Sequence, residues 1–573
     1  MPRLRSLKQS IVYLFGTKTR ACIVSLITLA FLSLIGTAVK NYQYCIGMYH
    51  DDSIYLVCAK ALAQGMGYKI ISLPGEPFET KYPSGLPGVL SWIWFCYPHF
   101  PENLPLIEIF QIIIAVASVL VCVLYLVATR RISAFIGLTI LAATVLNTHF
   151  IDFAPMVMSD LPCALIAALA LWQTESKVKS AFSWKLAVWL AFLYATACGF
   201  RAQGLVVGAS CIVFLALNRR FRLAGAVSCI YAAFLIPGVI WQKMYQGAAP
   251  EYYNFYTNYL AHAYQTLPSS TDWYPAMLAN YNWSGILQIN TYFPFIARIP
   301  YEALPPYMFE LIYKLGYLLL GIPLMVGGFT EWRKGRLAAL YGFFYAWSLA
   351  YWPVKLEWRH ILALLAFNYY FYIRGFRFLS RALKPKCRNR GGYRALCNAA
   401  MIAFSIYLVT GTVVEAMQRK AIFANSTESN NALANPVTMN GDYMAAIAWI
   451  KQNTHDNDVF VCNNDPVLFL YTGRQAVGTS RLEMWRFIFD RLVDAGSLLE
   501  SIAISKAHYV MCEPTYRSMG YGYEQGKLAI ADVQLQHPEL LTPVFTSKHG
   551  LVQIYAVNAT KMPRDALRKP QSP

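Results

Sequence analysis

Charge is scarce in this chain. Only 14% of its 573 residues are Asp, Glu, Lys or Arg, against roughly 25% in an ordinary soluble domain, while 57% are hydrophobic and 15% aromatic. With a mean hydropathy of +0.37, most of the chain is expected to be solvated by lipid. Paired cysteines are missing as well. The 13 cysteines show no CxxC spacing, and Cys22, Cys122, Cys163 and Cys211 lie inside apolar runs, where they read as small core or lipid-facing residues. Cys462 and Cys512 share the polar C-terminal part, but no spacing supports a bond between them. No G-x-G-x-x-G follows a strand, so a dinucleotide site is not indicated. No internal repeat is visible.

The charges that do occur are mostly basic, with a formal net charge of +19. They sit between apolar runs rather than on one polar face, which favours a membrane surface over nucleic acid as their partner. Arg3, Arg5, Lys8, Lys18 and Arg20 precede the apolar stretch 21–39. That stretch is long for a signal peptide and lacks a small-residue cleavage site, so it reads as a retained first span. Further apolar windows cover 107–128, 132–147, 161–173, 184–199, 204–217, 223–241, 311–329, 337–352, 359–373 and 395–414. About eleven helices are therefore expected, given ~20 residues per crossing. With the N-terminus in the cytoplasm, alternation puts every strongly basic short loop on the cytoplasmic side, among them Arg130 with Arg131 and the run Arg219, Arg220 and Arg222. Residues 40–106, 148–160, 200–203, 242–310 and 353–358, and everything after about 416, then face outward.

The sequence thus predicts a polytopic α-helical membrane protein, with a transmembrane module over 1–415 and an extracytoplasmic α/β domain over 416–573. In the tail, 443–452 and 481–504 have helical patterns, 458–462 and 508–512 have strand patterns, and 543–546 and 551–557 close the sheet. On residues alone this tail reads as a lid or an acceptor-presenting domain. N-x-S/T triplets at Asn282, Asn425 and Asn558 matter only if the host glycosylates asparagine. The aromatic-rich stretch 242–310, with Tyr252, Tyr253, Phe255 and Tyr256, fits an interfacial helix, with sugar stacking as the alternative.

The chemistry-bearing residues begin where the first outer loop opens, at Tyr49-His50-Asp51-Asp52-Ser53-Ile54-Tyr55. Ionisable residues at a membrane edge are costly, and adjacent carboxylates repel, so at least one should be partnered. Either could instead cap the helix-like run 54–63. The loop continues through Gly65-Met66-Gly67-Tyr68 to Glu79-Thr80-Lys81-Tyr82-Pro83-Ser84-Gly85-Leu86-Pro87. Later come Met158-Ser159-Asp160-Leu161-Pro162 and Phe200-Arg201-Ala202-Gln203-Gly204, each at the mouth of an apolar window.

This succession resembles the GT-C glycosyltransferases of bacteria related to protein mannosyltransferases and aminoarabinose transferases. The shared pieces are Asp-x-x-x-Tyr, Gly-x-Gly-Tyr, Thr-Lys-Tyr-Pro-x-Gly-x-Pro and the tail segment 448–476. The chain departs from the family at Thr80, where an acidic residue often precedes the lysine. It departs again at Ala202 and Gln203, which replace Pro and Glu, and after Arg359-His360-Ile361-Leu362, where the family's Pro is absent.

The resemblance implies a polyprenyl-phosphate sugar donor in the bacterial cytoplasmic (inner) membrane and an unidentified lipid, glycan or protein acceptor. Asp51 would be the general base with Asp52 as substitute, and Asp160 a further carboxylate orienting the acceptor or holding an ion. Lys81, Arg201 and Arg359 would meet the lipid phosphate, with Tyr55, Glu79 and Tyr82 beside the substrate. Bland roles compete. Lys81 suits snorkelling, Arg201 an interfacial anchor, Arg359 a pair with Glu357, and Asp160 a helix N-cap. His50 with the two aspartates offers ligands for Mg²⁺ or Mn²⁺ but has no HxxxH-type spacing. A lipid-linked-sugar transporter or flippase is the alternative function. Transporters tend to carry midplane charges and repeated halves, whereas the charges here lie in loops and span mouths.

Overall fold

The structure, a computed structural model, describes residues 46–47, 50–129, 131–145, 147–246, 321–351, 359–383, 436–479, 494–514 and 521–563. The windows 21–39 and 395–414, the aromatic stretch beyond 246, Glu357, Asn282, Asn425 and residues 481–493 lie outside the described residues. The chain divides into two units. One comprises 1–42, 108–237 and 275–419, the other 43–107, 238–274 and 420–573.

Helices dominate up to residue 383. They are α1 (Asp51–Ala63), α2 (Gly85–Cys96), α3 (Leu104–Ala128), α4 (Ala134–Val145), α5 (Thr148–Phe153), α6 (Asp160–Lys177), α7 (Trp184–Phe200), α8 (Gly204–Leu217), α9 (Phe221–Tyr245), α10 (Leu337–Ala350), α11 (Arg359–Leu362) and α12 (Leu365–Leu383). Residues 321–333 are also helical. Among the described residues α3 and α9, 25 residues each, are long and apolar enough to cross a membrane; at ~1.5 Å per residue each exceeds the ~30 Å hydrocarbon layer. The window 359–373 is not one helix. It divides into α11 and α12, and the helical run continues to Leu383.

Within the first unit α6, α7, α8 and α10 pack as neighbours. Gly204 starts α8 against the last turn of α7, where a Cβ would lie 2.3 Å from the Ala197 carbonyl carbon. Several polar groups inside this packing are matched. Thr174 Oγ1 and the Tyr194 hydroxyl are 2.7 Å apart, and the fully buried Glu331 accepts from Tyr370, from Arg374 at 2.7 Å and from Lys334 at 2.9 Å.

In the second unit, α13 (Pro436–Asn453), β1 (Phe460–Cys462), α14 (Asp465–Thr472), β2 (Ala476–Gly478), α15 (Ala495–Ser505), β3 (Tyr509–Cys512), α16 (Tyr521–Gln536), β4 (Leu541–Thr546) and β5 (Gln553–Val557) build an α/β fold. The sheet order is β2-β1-β3-β5-β4. β2, β1 and β3 are parallel, while β3–β5 and β5–β4 are antiparallel. Each parallel crossover carries a helix, as such connections require. The core is apolar and includes Ile450, Phe460, Leu468, Met511 and Ile554. Cys462 and Cys512 are both buried and form no disulfide. α1 and α2 belong to this same unit and pack on each other. The amide of Ala476, first residue of edge strand β2, donates to the carbonyl of Ser72 at 2.9 Å.

The closing turn of the domain hangs on one carboxylate. Buried Asp442 accepts from Ser547 Oγ at 2.6 Å, from the His549 amide at 3.2 Å and, at the same residue, faces Nδ1 at 2.8 Å. An Asp442→Ala variant strands these donors at about 1–3 kcal/mol. Hydrogen exchange on the full chain should therefore speed up at the amides of 547–552 while the α6–α8 helices stay unchanged.

Candidate functional site

Two clusters hold the residues expected to be functional, one in each unit. In the second unit α1 begins at Asp51, with His50 before it in the left-handed region at φ 60°. Neither aspartate caps the helix from outside, contrary to the cap expectation. Both lie within its first turn, where negative charge complements the helix dipole. The two are not equivalent. Asp52 is 0% exposed and its carboxylate accepts the amides of Gly47 at 3.0 Å and Ser53 at 2.7 Å. Asp51 is half-buried and accepts the Tyr82 hydroxyl at 2.5 Å.

Tyr82 is steered from several sides. Its ring meets Tyr55 edge-on at 5.2 Å, its carbonyl accepts the Tyr68 hydroxyl at 2.9 Å, and the Lys81 ammonium lies 4.7 Å from its ring centroid. The turn itself is folded around Glu79. This carboxylate, 0% exposed, accepts the amides of Lys81 at 2.5 Å and Tyr82 at 2.9 Å. Its other oxygen, Oε2, has no hydrogen-bond partner among the described residues. Burial pushes the Glu79 carboxyl up to about 7, against the opposing pull of those amides and the Lys81 charge. Burial and the Asp51 charge hold the Tyr82 hydroxyl well above its ordinary range, keeping it a donor.

Asp465, the partner of His50, and the nearby Glu513 escaped the sequence reading. His50 Nε2 is 3.2 Å from Asp465 Oδ1, and Asp465 opens α14 after β1. Next to it the Asn464 amide donates to Glu513 at 2.9 Å, and burial pushes the Glu513 carboxyl up to about 8. The signal that could have located Asp465 is the run Asn463-Asn464-Asp465-Pro466, polar residues closing a strand and opening a helix. Among the described residues no three His, Cys, Asp or Glu side chains converge as metal ligands.

In the first unit Asp160 is the first residue of α6, and Ser159 takes the cap position expected for it. Asp160 instead accepts Arg201 Nη1 at 2.7 Å, while the same nitrogen reaches Ser159 Oγ at 3.3 Å. Arg201 ends α7 in extended backbone, so it is not merely an interfacial anchor but half of a buried ion pair. Arg359, the first residue of α11, is buried with Nη1 3.8 Å from the Met158 sulfur. Gln203 adds a feature that its spacing did not announce. It is buried, and neither end of its amide has a hydrogen-bond partner among the described residues.

Across nearly its whole length the chain folds like the GT-C membrane glycosyltransferases, mostly helical with a C-terminal mixed sheet. ArnT from Cupriavidus metallidurans in the apo state matches with a TM-score of 0.50 at 12% identity, over 95% of this chain and 98% of that one. The oligosaccharyltransferase AglB from Archaeoglobus fulgidus, solved with an inhibitory peptide and a dolichol-phosphate, matches at 0.53 and 10% identity over 96% of this chain and 76% of that one. The apo form of the A. fulgidus oligosaccharyltransferase gives 0.50 at 11% identity. No protein-family profile and no curated protein matches the chain in sequence.

Two outcomes follow from these geometries. Folding raises the Glu79 carboxyl above its unfolded value of about 4.3, so the folded state holds the extra proton between that value and about 7. Stability therefore falls as pH rises through this window and levels off above it. Thermal unfolding in micelles should show this slope in wild type and lose it in Glu79→Gln, which keeps the acceptor for both amides. Asp160→Ala should cost about 3–5 kcal/mol by leaving the Arg201 charge buried. The Asp160→Ala/Arg201→Met pair should regain most of the lost melting temperature.

Proposed function

We propose that this protein is a multi-pass membrane enzyme that moves a sugar from a polyprenyl-phosphate-linked donor to an envelope acceptor on the extracytoplasmic face. In this reading residues 1–415 form a membrane module of about eleven spans with a cytoplasmic N-terminus. Residues 416–573 form an extracytoplasmic domain, and the membrane is the bacterial cytoplasmic one. Support comes from the fold, and from AglB, a structure of that fold solved with a dolichol-phosphate.

One observation carries the assignment. Asp51 stands at the start of α1, oriented by the Tyr82 hydroxyl, with Lys81 adjacent in the chain. Both Asp52 oxygens accept backbone amides, so we assign Asp52 to positioning and Asp51 to base chemistry. Asp51 takes the proton of the acceptor hydroxyl as its oxygen bonds to the anomeric carbon. The bond from that carbon to the phosphate oxygen breaks, and the lipid phosphate leaves with the electron pair. Lys81 is assigned to the negative charge that develops there. Arg201 and Arg359 are carried as further phosphate contacts, Asp160 as the group that orients Arg201, and Tyr55, Glu79 and Tyr82 as the residues that shape the loop around the substrate. No role is assigned to a divalent ion.

Transfer by purified protein in nanodiscs tests this. With a polyprenyl-phosphate sugar as donor, Asp51→Asn should lower the rate by ~100-fold or more, and Tyr82→Phe by roughly 10-fold through misorientation. Asp52→Asn should lower both rate and melting temperature. Full transfer by both aspartate variants would sink the assignment.

A further inference from the structure

The proposed chemistry uses the first turn of α1 and leaves its last turn without a task. There the Lys60 ammonium lies 4.7 Å from the ring centroid of Phe469 and 5.9 Å from that of Trp94. Burial lowers its pKa from the ordinary lysine value. Among the described residues no carboxylate pairs with Lys60, although Glu102 lines the same cavity. Ring faces attract an ammonium by only ~0.5–2 kcal/mol, so the positive charge is seated but not neutralised.

The cavity has a volume of about 470 Å³, within the ~300–1,000 Å³ common for small-molecule sites. Trp94, Tyr97, His99 and Phe100 form part of its wall. Trp94 and Phe100 are stacked, with centroids 5.9 Å apart and 12° between planes, and Phe100 is braced in turn by Tyr471 at 5.0 Å. Trp94 is 2% exposed, and its indole nitrogen has no hydrogen-bond partner among the described residues. Ring faces, one buried N–H donor, one carboxylate acceptor and an uncompensated cation together suit a sugar bearing a negative charge. α2, which carries Trp94, also carries Trp92 and Phe95, each 72% exposed. Large exposed aromatics on one short helix suit interfacial anchoring, which would put the cavity at the depth of lipid headgroups.

We propose that this cavity binds the anionic sugar headgroup of a membrane glycolipid, with its phosphate or carboxylate on Lys60 and its ring against Tyr97 and Phe100. From Asp51 to Lys60 the helix rises about 13 Å at ~1.5 Å per residue. The bound group is therefore remote from the reacting atoms, as the charged part of an acceptor would be. That purpose rests on the transferase reading; the binding chemistry does not.

The test is calorimetric titration of the full chain in phosphatidylcholine nanodiscs with glucose 1-phosphate, glucose and inorganic phosphate. Glucose 1-phosphate should bind about 10-fold or more tightly than either fragment. Lys60→Met, which keeps the stem against the rings, should abolish the preference over glucose, and Lys60→Arg should retain it. Tyr97→Ala alters an exposed residue and should weaken binding about threefold or more without loss of fold. Lys81→Met should lower transfer yet leave this binding unchanged, so the two readings fail separately. Equal affinity for all three probes, or wild-type affinity in both Lys60→Met and Tyr97→Ala, overturns the proposal. Displacement by phosphatidylglycerol added to the discs overturns the sugar assignment in favour of any lipid phosphate.

Discussion

The bond from the Ala476 amide to the Ser72 carbonyl ties the loop between α1 and α2 to the edge of the C-terminal sheet. Between α1 and α2 the chain runs through turns whose sheet-like pairing is the isolated bridge of Lys69 with Phe78. Buried backbone groups in such a stretch need partners, and the C-terminal domain supplies them. Gln475 reaches the Ile71 carbonyl at 3.4 Å, and Asp465 holds His50. At Gly47, φ +91°, a Cβ would lie 2.1 Å from the Asn464 side chain, so the approach is close enough to require glycine. The segment bearing Asp51, Glu79, Lys81 and Tyr82 thus takes its shape from residues contributed by the far end of the chain.

On that footing the asymmetry between neighbouring aspartates becomes intelligible. Two adjacent carboxylates cannot both stay charged cheaply unless their surroundings differ. Backbone amides stabilise the Asp52 carboxylate, and a tyrosine hydroxyl donates to Asp51. The same economy governs Glu79, whose carboxylate folds the turn that presents Lys81. In the helical unit Asp160 and Arg201 form a buried ion pair.

Much of this was legible in the chain. Apolar windows matched α3, α4 and α6 to α10 to within a few residues, because each is a continuous apolar run bounded by basic or polar residues. The strands β1, β3, β4 and β5 followed from short apolar runs between turns. α2 was harder. Its twelve residues, Gly85–Cys96, are apolar with weak periodicity and give no sign of where the helix ends. α14 and β2 are too short to announce themselves. The different surroundings of Asp51 and Asp52 involve Gly47 and the positive-φ backbone of His50, neither of which spacing encodes. The His50–Asp465 contact joins positions 415 apart in sequence, and only tertiary structure reveals such pairs. The rings around Lys60 come from Trp94 and Phe469, and nothing in the sequence near Lys60 announces them.

The Ser72–Ala476 bond has another consequence, for solubility. β2 is an edge of the sheet, paired with β1 on one side, and an uncovered edge strand is a template for joining other chains. Here residues 71 and 72 occupy that edge. A C-terminal fragment cut free of the rest of the chain would leave the edge of β2 bare, with the apolar run Ala476-Val477-Gly478 ready to pair with its own copies. What keeps this domain from aggregating is therefore written some 400 residues upstream, in a loop that a fragment designed from the tail alone would omit.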